Sequence, residues 1–246
     1  MTHNPLLSRD ARHLALDAVG AEGQAGIAAG SVLLIGVGGI GCAAAQYLVA
    51  AGVGRVAMTD FDTVDATNLG RQVLYGDADV GKSKVAVAAE RLAALNSENN
   101  VVAIDKRLSG DALDAAVSDV DIVLDGSDNF ATRFAVNDAC VRAGKRLVSG
   151  AAIRMEGQLC VFGPDYSTSP CYRCLYTEAD ETLESCAGNG VLGPVPGVIG
   201  TLMAVEALKT FAGLDVATGR LRLYDAVRTE FQSLNIRKRD NCSECQ

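Results

Sequence analysis

Gly36-Val37-Gly38-Gly39-Ile40-Gly41 lies between an apolar run that reads as a strand (32–35) and one that reads as a helix (39–51). Glycines at Gly36, Gly38, Gly39 and Gly41 let a backbone come close to a phosphate. The free N–H groups at a helix N-terminus favour an anion there. Asp60 falls 19 residues after Gly41, at the end of the next predicted strand (55–59). From there its carboxylate can accept hydrogen bonds from ribose hydroxyls. Alone, these features are a dinucleotide fingerprint, and an NAD-dependent oxidoreductase is their ordinary reading; a tight turn without ligand is the bland one.

The residues that follow ask for more phosphate chemistry than hydride transfer uses. Asn68-Leu69-Gly70-Arg71-Gln72 comes just after the second strand, and Lys82 and Lys84 open a predicted helix (82–95). Cations at a helix N-terminus oppose its dipole, a conflict that an anionic ligand would resolve; plain solvation is the alternative for Arg71 and Lys84. Asp125-Gly126-Ser127-Asp128-Asn129 closes another predicted strand, at the sheet edge where open α/β folds bind ligands. Asp128 suits Mg²⁺, which takes one or two carboxylates plus phosphate oxygens. The alternative for Asp128 is capping of a helix starting near Thr132. A carboxylate attacking the α-phosphorus of ATP approaches an anionic group. Each unit-charge pair at 4 Å then costs about 1 kcal/mol in water and about 4 at an effective dielectric of 20. Neutralisation and positioning are therefore the main catalytic work, and Arg71, Lys84 and a cation at Asp128 are suited to it.

Eight cysteines include two CxxC pairs, Cys171/Cys174 and Cys242/Cys245. Residues 1–13 carry no apolar export signal, so a reducing compartment is expected and metal is favoured over disulfides. Four thiolates suit tetrahedral Zn²⁺ and leave no open position, so the zinc is structural. Arg173, inside the first pair, is placed to offset its negative charge. Cys186 lies outside both pairs in a Gly-rich stretch and reads either as a reactive thiol or as an exposed bystander. Cys42, Cys140 and Cys160 sit in predicted regular elements and read as packing residues. His3 and His13 receive no role.

These residues need a scaffold that brings strand ends together. Further strands are predicted at 101–104, 122–124 and 146–148, with a helix at 132–143 before the last. The alternation implies a doubly wound, Rossmann-like, mostly parallel sheet. After 150 the pattern changes: a strand at 157–162, a long loop at 167–196, a helix at 200–211, then antiparallel strands at 221–224 and 230–235. The fold class expected is α/β, the parallel sheet continuing into antiparallel strands, with a four-cysteine zinc site. At 246 residues the chain fits one domain. A net charge of −8 argues against nucleic acid as partner. Residues 32–54 carry no charge, but early glycines break the run, so a strand, turn and buried helix are expected in place of a membrane span.

The chain resembles the adenylating enzymes of the MoeB and ThiF type, bacterial relatives of the ubiquitin-activating enzymes. The resemblance runs from about Arg9 to Cys245, carried by GVGGIG, GVGRVAMTDFD, NLGRQ, GKSK, LDGSDNFATR, SGAAIRMEGQ, CYRC, GVLGPVPGVIG and CSEC. It implies that Gly39 serves the nucleotide loop and Asp60 the ribose. Asn68, Arg71, Gln72 and Lys84 would surround the ATP phosphates, with Asp128 linked to Mg²⁺ and Asn129 beside it. Arg12 would reach across a homodimer to the neighbour's phosphates; without the resemblance it is a solvated helix residue. Relatives carry Zn²⁺ at the four cysteines. In some a cysteine matching Cys186 bonds covalently to the carrier or to sulfur, and in others it does not act. The implied reaction is ATP-dependent adenylation of the C-terminal glycine of a ubiquitin-like sulfur-carrier protein ending in Gly-Gly. That step prepares thiocarboxylate formation in molybdopterin or thiamin biosynthesis, in the cytoplasm. Residues 1–246 would be one adenylating domain, with a nucleotide-binding part at about 28–150 and a carrier-binding and zinc part at about 151–246. Because the sequence closes at Gln246 after CSEC, no appended rhodanese domain is expected, and sulfur would come from a separate donor. The chain departs from the family pattern at Asp10, Gly70 and Gly126-Ser127, none of which replaces a charged residue of the expected site.

Overall fold

The computed structural model describes residues 9–177 and 190–246. Five strands run parallel: β1 (Ser31–Ile35), β2 (Arg55–Thr59), β3 (Asn100–Ile104), β4 (Ile122–Asp125) and β5 (Arg146–Ile153). Three more continue antiparallel: β6 (Glu156–Phe162), β7 (Arg220–Asp225) and β8 (Glu230–Asn235). All eight form one sheet in the order β3-β2-β1-β4-β5-β6-β7-β8. The helices are α1 (Ala11–Leu14), α2 (Gly20–Ala29), α3 (Gly39–Ala50), α4 (Lys84–Leu95), α5 (Gly110–Ser118), α6 (Phe130–Ala143), α7 (Tyr172–Leu175) and α8 (Pro194–Phe211).

Successive residues of β1 point to opposite faces of the sheet, as the period of two requires. Val32 and Leu34 join a cluster with Ile27, Leu48, Leu92 and Met203, from α2, α3, α4 and α8. Leu33 and Ile35 join Leu113, Val117 and Phe134, from α5 and α6, on the other face. Covered on both sides, β1 and β4 are continuous apolar runs without polar alternation, as buried parallel strands are. The chain winds outward from β1 to β2 and β3, then returns to β4 on the other side of β1. The crevice between the carboxyl ends of β1 and β4 is the switch point where such sheets take ligands.

Several boundaries differ from the sequence expectation. The helix expected at 200–211 begins at Pro194, because proline is tolerated in a first turn whose N–H groups have no helical partner. The helix expected from 82 begins at Lys84, capped by Ser83 Oγ, which accepts from Ala86 N–H at 3.4 Å. The expected loop 167–196 contains α7 and the start of α8, and its residues 178–189 lie outside those described. Helices α2 and α5 have no counterpart in the sequence reading. Among the described residues no helix is long and apolar enough to cross a membrane, and 32–54 is strand, turn and helix.

Candidate functional site

The glycine turn is held from three sides. Gly36 has φ of +84°, in the left-handed region open to glycine. A Cβ on Gly41 would lie 2.0 Å from Gly36 O, so the first turn of α3 closes directly on the loop. Val37 N–H donates to Asp60 Oδ2 at 2.8 Å, and Tyr75 Oη donates to Val37 O at 2.8 Å. Asp60 Oδ1 accepts from Asp62 N–H at 3.0 Å. The carboxylate expected to meet ribose thus also braces the turn. Each of its oxygens keeps a second lone pair for a ligand.

Above the carboxyl ends of β1, β2 and β4 lies a cavity of about 850 Å³. Gly36, Gly38, Gly39 and Asp60 line it at the turn, and Arg71, Gln72 and Lys84 line it from the segment after β2. Asp128 and Asn129 line it from the end of β4. It continues over the antiparallel half of the sheet, past Ala152, Gly157, Leu223 and Gln232. Arg71 Nη1 donates to Thr67 O at 3.0 Å. Lys84 is 6% exposed, and its Nζ donates to Asp62 Oδ2 at 3.0 Å. The expected conflict between this cation and the helix dipole is therefore met by a carboxylate of the chain itself, two residues beyond Asp60. Lys82 is outside the cavity and pairs with Asp79 at 3.3 Å. Gln72 is buried, its Oε1 without a hydrogen-bond partner among the described residues.

Asp128 is exposed, and Asn129 Nδ2 donates to its Oδ1 at 3.4 Å. It does not cap α6. That role falls to Asn129, whose Oδ1 accepts from Thr132 N–H at 2.9 Å. Asp128 thereby leaves an accessible carboxylate in the cavity wall, the kind of ligand that Mg²⁺ takes. Asp125, beneath it, is buried; desolvation pushes its carboxyl up, opposed by the Arg133 guanidinium.

Three expected residues are not in the cavity wall. Gly41 is inside α3. Asn68 acts through its backbone, its carbonyl accepting from Arg71 N–H at 3.0 Å and Gln72 N–H at 2.9 Å. Arg12 is exposed on α1, away from the cavity of its own chain. Cys186 lies outside the described residues. Sequence reasoning passed over Asp62 and Arg133. The signal for Asp62 was its spacing of two from Asp60; Arg133 had none beyond its place in LDGSDNFATR. It also passed over Phe61, an exposed aromatic in the cavity wall with the Arg107 guanidinium 4.4 Å from its ring centroid.

The four cysteines of the CxxC pairs converge on the face of the sheet that α5 and α6 cover. Their sulfurs lie within 4.8 Å of one another, with 3.6 Å between Cys171 and Cys242 and 3.5 Å between Cys174 and Cys245. A tetrahedral zinc with Zn–S near 2.3 Å puts sulfurs about 3.8 Å apart, so the cluster fits Zn²⁺. It ties α7 to the segment after β8. Arg173 makes a two-point pair with Asp138 at 2.7 and 2.6 Å and lies over Phe134 at 4.5 Å, and the charge of Cys171 acts on it more weakly than that of Asp138. Cys42, Cys140 and Cys160 are buried packing residues, and burial pushes the thiols of Cys42 and Cys160 up to about 12.

Comparison with known proteins places this geometry. The model of the ThiF family matches residues 11–244. The Bos taurus adenylyltransferase and sulfurtransferase MOCS3 is 48% identical over 244 residues, covering 97% of this chain and 53% of that protein. Its Mus musculus counterpart is 46% identical, covering 97% and 54%. The chain thus spans about half the length of the curated relatives it matches. The crystal structure of E. coli MccB with AMPCPP and MccA superposes with a TM-score of 0.84 at 25% identity, covering 97% of this chain and 74% of that one. Since the match runs from α1 through the glycine turn and into the last cysteine pair, the chain belongs to the ThiF family.

Proposed function

We propose that the chain is an adenylyltransferase that activates the C-terminal glycine of a ubiquitin-like sulfur-carrier protein. The observation that carries this is one continuous cavity, which holds the glycine turn, Arg71, Lys84 and Asp128 at one end and continues over β6, β7 and β8 at the other. That gives room for a nucleotide and for the extended tail of a second polypeptide. The name of the MOCS3 relatives supports the same chemistry, as does the AMPCPP in MccB. A nicotinamide oxidoreductase would leave the buried Lys84, Arg71 and Asp128 without a task.

In this reading ATP lies over the glycine turn, with its ribose at Asp60 and its phosphates toward Arg71, Gln72 and Lys84. The carrier's terminal carboxylate, already ionised at neutral pH, needs no general base. One of its oxygens bonds to the α-phosphorus, and the bond from that phosphorus to the bridging oxygen of the β-phosphate breaks. Acyl-adenylate and pyrophosphate result. Mg²⁺ held at Asp128 would supply charge neutralisation. Arg71 and Lys84 stabilise negative charge in a cavity where water is partly excluded, which raises the value of each contact.

Arg12 completes the phosphate site of a partner copy in a homodimer. Residues 28–150 form the nucleotide part and 151–246 the carrier and zinc part of one adenylating unit. Sulfur then reaches the acyl-adenylate from a separate donor, displacing AMP and leaving a thiocarboxylate for molybdopterin or thiamin biosynthesis in the cytoplasm. In support, each described cysteine belongs either to the metal cluster or to the core; a covalent step in this chain would fall to Cys186. Incubation with α-labelled ATP and a carrier ending in Gly-Gly should label the carrier, with the label lost when the terminal glycine is deleted. No label on any carrier, together with tight binding of a nicotinamide cofactor, would support the oxidoreductase.

A further inference from the structure

We propose that Asp125 and Arg133 are positioning residues that fix the Ser127 peptide and so aim the Asp128 carboxylate into the cavity; the proposal rests on the adenylation reading above. Asp125 ends β4 and is 1% exposed, and its Oδ1 accepts from Ser127 N–H at 2.9 Å. Arg133 lies one turn into α6 and is 4% exposed. Its Nε and Nη2 both donate to Ser127 O, at 3.2 and 2.8 Å, and its guanidinium carbon is 5.9 Å from the Phe130 ring centroid. Ser127 is thus held at its N–H from the strand and at its carbonyl from the helix. On the other side, Asn129 is fixed by its cap to Thr132 N–H. Asp128, between these anchored neighbours, is the exposed member of a stretch of cavity wall that Ser127, Asn129 and Arg133 share.

A short turn does not need two buried charges to form. Removing a carboxylate and a guanidinium from water is costly even when they face one another. Asp125 Oδ2 and Ser127 Oγ are also buried, and the Ser127 hydroxyl and N–H both act on the Asp125 carboxyl against the larger push of desolvation. The pair therefore answers to the direction of Asp128 more than to stability.

The test compares wild type with Arg133→Lys, which keeps the charge but loses the fork on Ser127, and with Asp125→Asn. Ile27→Val, in the cluster beneath α2, serves as a control for destabilisation alone. Mn²⁺ binding in the presence of AMPCPP is followed by electron paramagnetic resonance, alongside AMPCPP binding without metal and thermal melting. Arg133→Lys should weaken Mn²⁺ about ten-fold, the low end for groups that orient a metal ligand, while AMPCPP alone binds as in wild type. In ATP–pyrophosphate exchange its kcat should fall with KM for ATP little changed. Melting lowered as in Ile27→Val with wild-type Mn²⁺ affinity would overturn the positioning role and leave the adenylation reading intact. Should Asp125→Asn fail to fold, Arg133→Lys alone decides. A wild-type protein that binds no Mn²⁺ with AMPCPP would overturn both.

Discussion

Lys84 and Arg71 face the same cavity but are held differently, so their loss should differ. Lys84 is buried against Asp62, and Lys84→Met would leave the Asp62 carboxylate unpaired. Arg71 is half-buried on a turn, its side chain tied among the described residues by a hydrogen bond to Thr67 O. Arg71→Ala should lower carrier-dependent ATP turnover about 100-fold, as when one charge-stabilising donor is removed, with melting unchanged. Lys84→Met should lose as much activity and also melt lower. Asp79 gives a prediction of a different kind. It anchors the segment leading to α4 through Gly76 N–H at 3.0 Å, Lys82 and Arg91. The Gly76 N–H, then the Lys82 and Arg91 cations, holds its carboxyl below the usual carboxylate range. A depressed folded pKa contributes stability that is present above the unfolded value, about 3.9, and is lost as pH falls through the folded one. Asp79→Asn should therefore melt lower than wild type at pH 7, with the gap closing at pH 3. A gap unchanged with pH would contradict this. The cavity residues legible in the sequence were those at strand ends, where topology brings Gly36, Asp60 and Asp128 together, and the cations Arg71 and Lys84 that follow the second strand. Arg133 and Asp62 were not, because a helical arginine and an exposed aspartate look like solvated surface until their partners are known. Asn129 was read as a neighbour of the nucleotide, and the sequence held no means of telling the cap from its neighbour Asp128.

Strands β1, β2 and β4 were legible as elements because burial on both faces leaves continuous apolar runs bounded by glycine or charge. Helices α2 and α5 were not. Gly20 and Gly23 lower the helical propensity of this segment, and α2 is held as a helix by α1 and α8, which pack on it. Helix α5 buries only Leu113 and Val117, one pair at i and i+4. The start of α8 was missed because Pro194 and Pro196 read as loop, whereas a first turn accepts them. This end of α8 packs on α3 near the glycine turn: a Cβ on Gly200 would stand 2.1 Å from Ile40 O, a backbone atom that cannot step aside. Gly200→Ala should force the two helices apart. Overpacking of this kind costs about 1–3 kcal/mol, or roughly 2–12 °C of melting temperature in a domain of this size. A larger cavity and weaker AMPCPP binding should accompany it. Calorimetry of the variant checks both; an unchanged melting temperature would show that α8 slides without cost.

For the whole molecule, the four-cysteine cluster fits zinc and joins segments far apart in sequence. The cluster joins α7 to the C-terminal segment. Cys242→Ser should drop bound zinc from one equivalent per chain toward none and lower the melting temperature, since metal binding and folding are linked. Zinc released by a thiol reagent and counted with a chromogenic chelator measures it. If Arg12 acts across a dimer, Arg12→Ala and Arg71→Ala proteins, each inactive alone, should regain activity when mixed. Random exchange of subunits gives half heterodimers with one complete site each, about a quarter of wild-type activity. Recovery absent after proven exchange would place Arg12 elsewhere. Adenylation of a carrier's C-terminus in this cavity is read by ATP–pyrophosphate exchange with purified chain, with and without carriers ending in Gly-Gly. Exchange should require the carrier and its terminal carboxylate and disappear in Asp128→Ala. Exchange absent with every carrier, or undiminished without one, would contradict it.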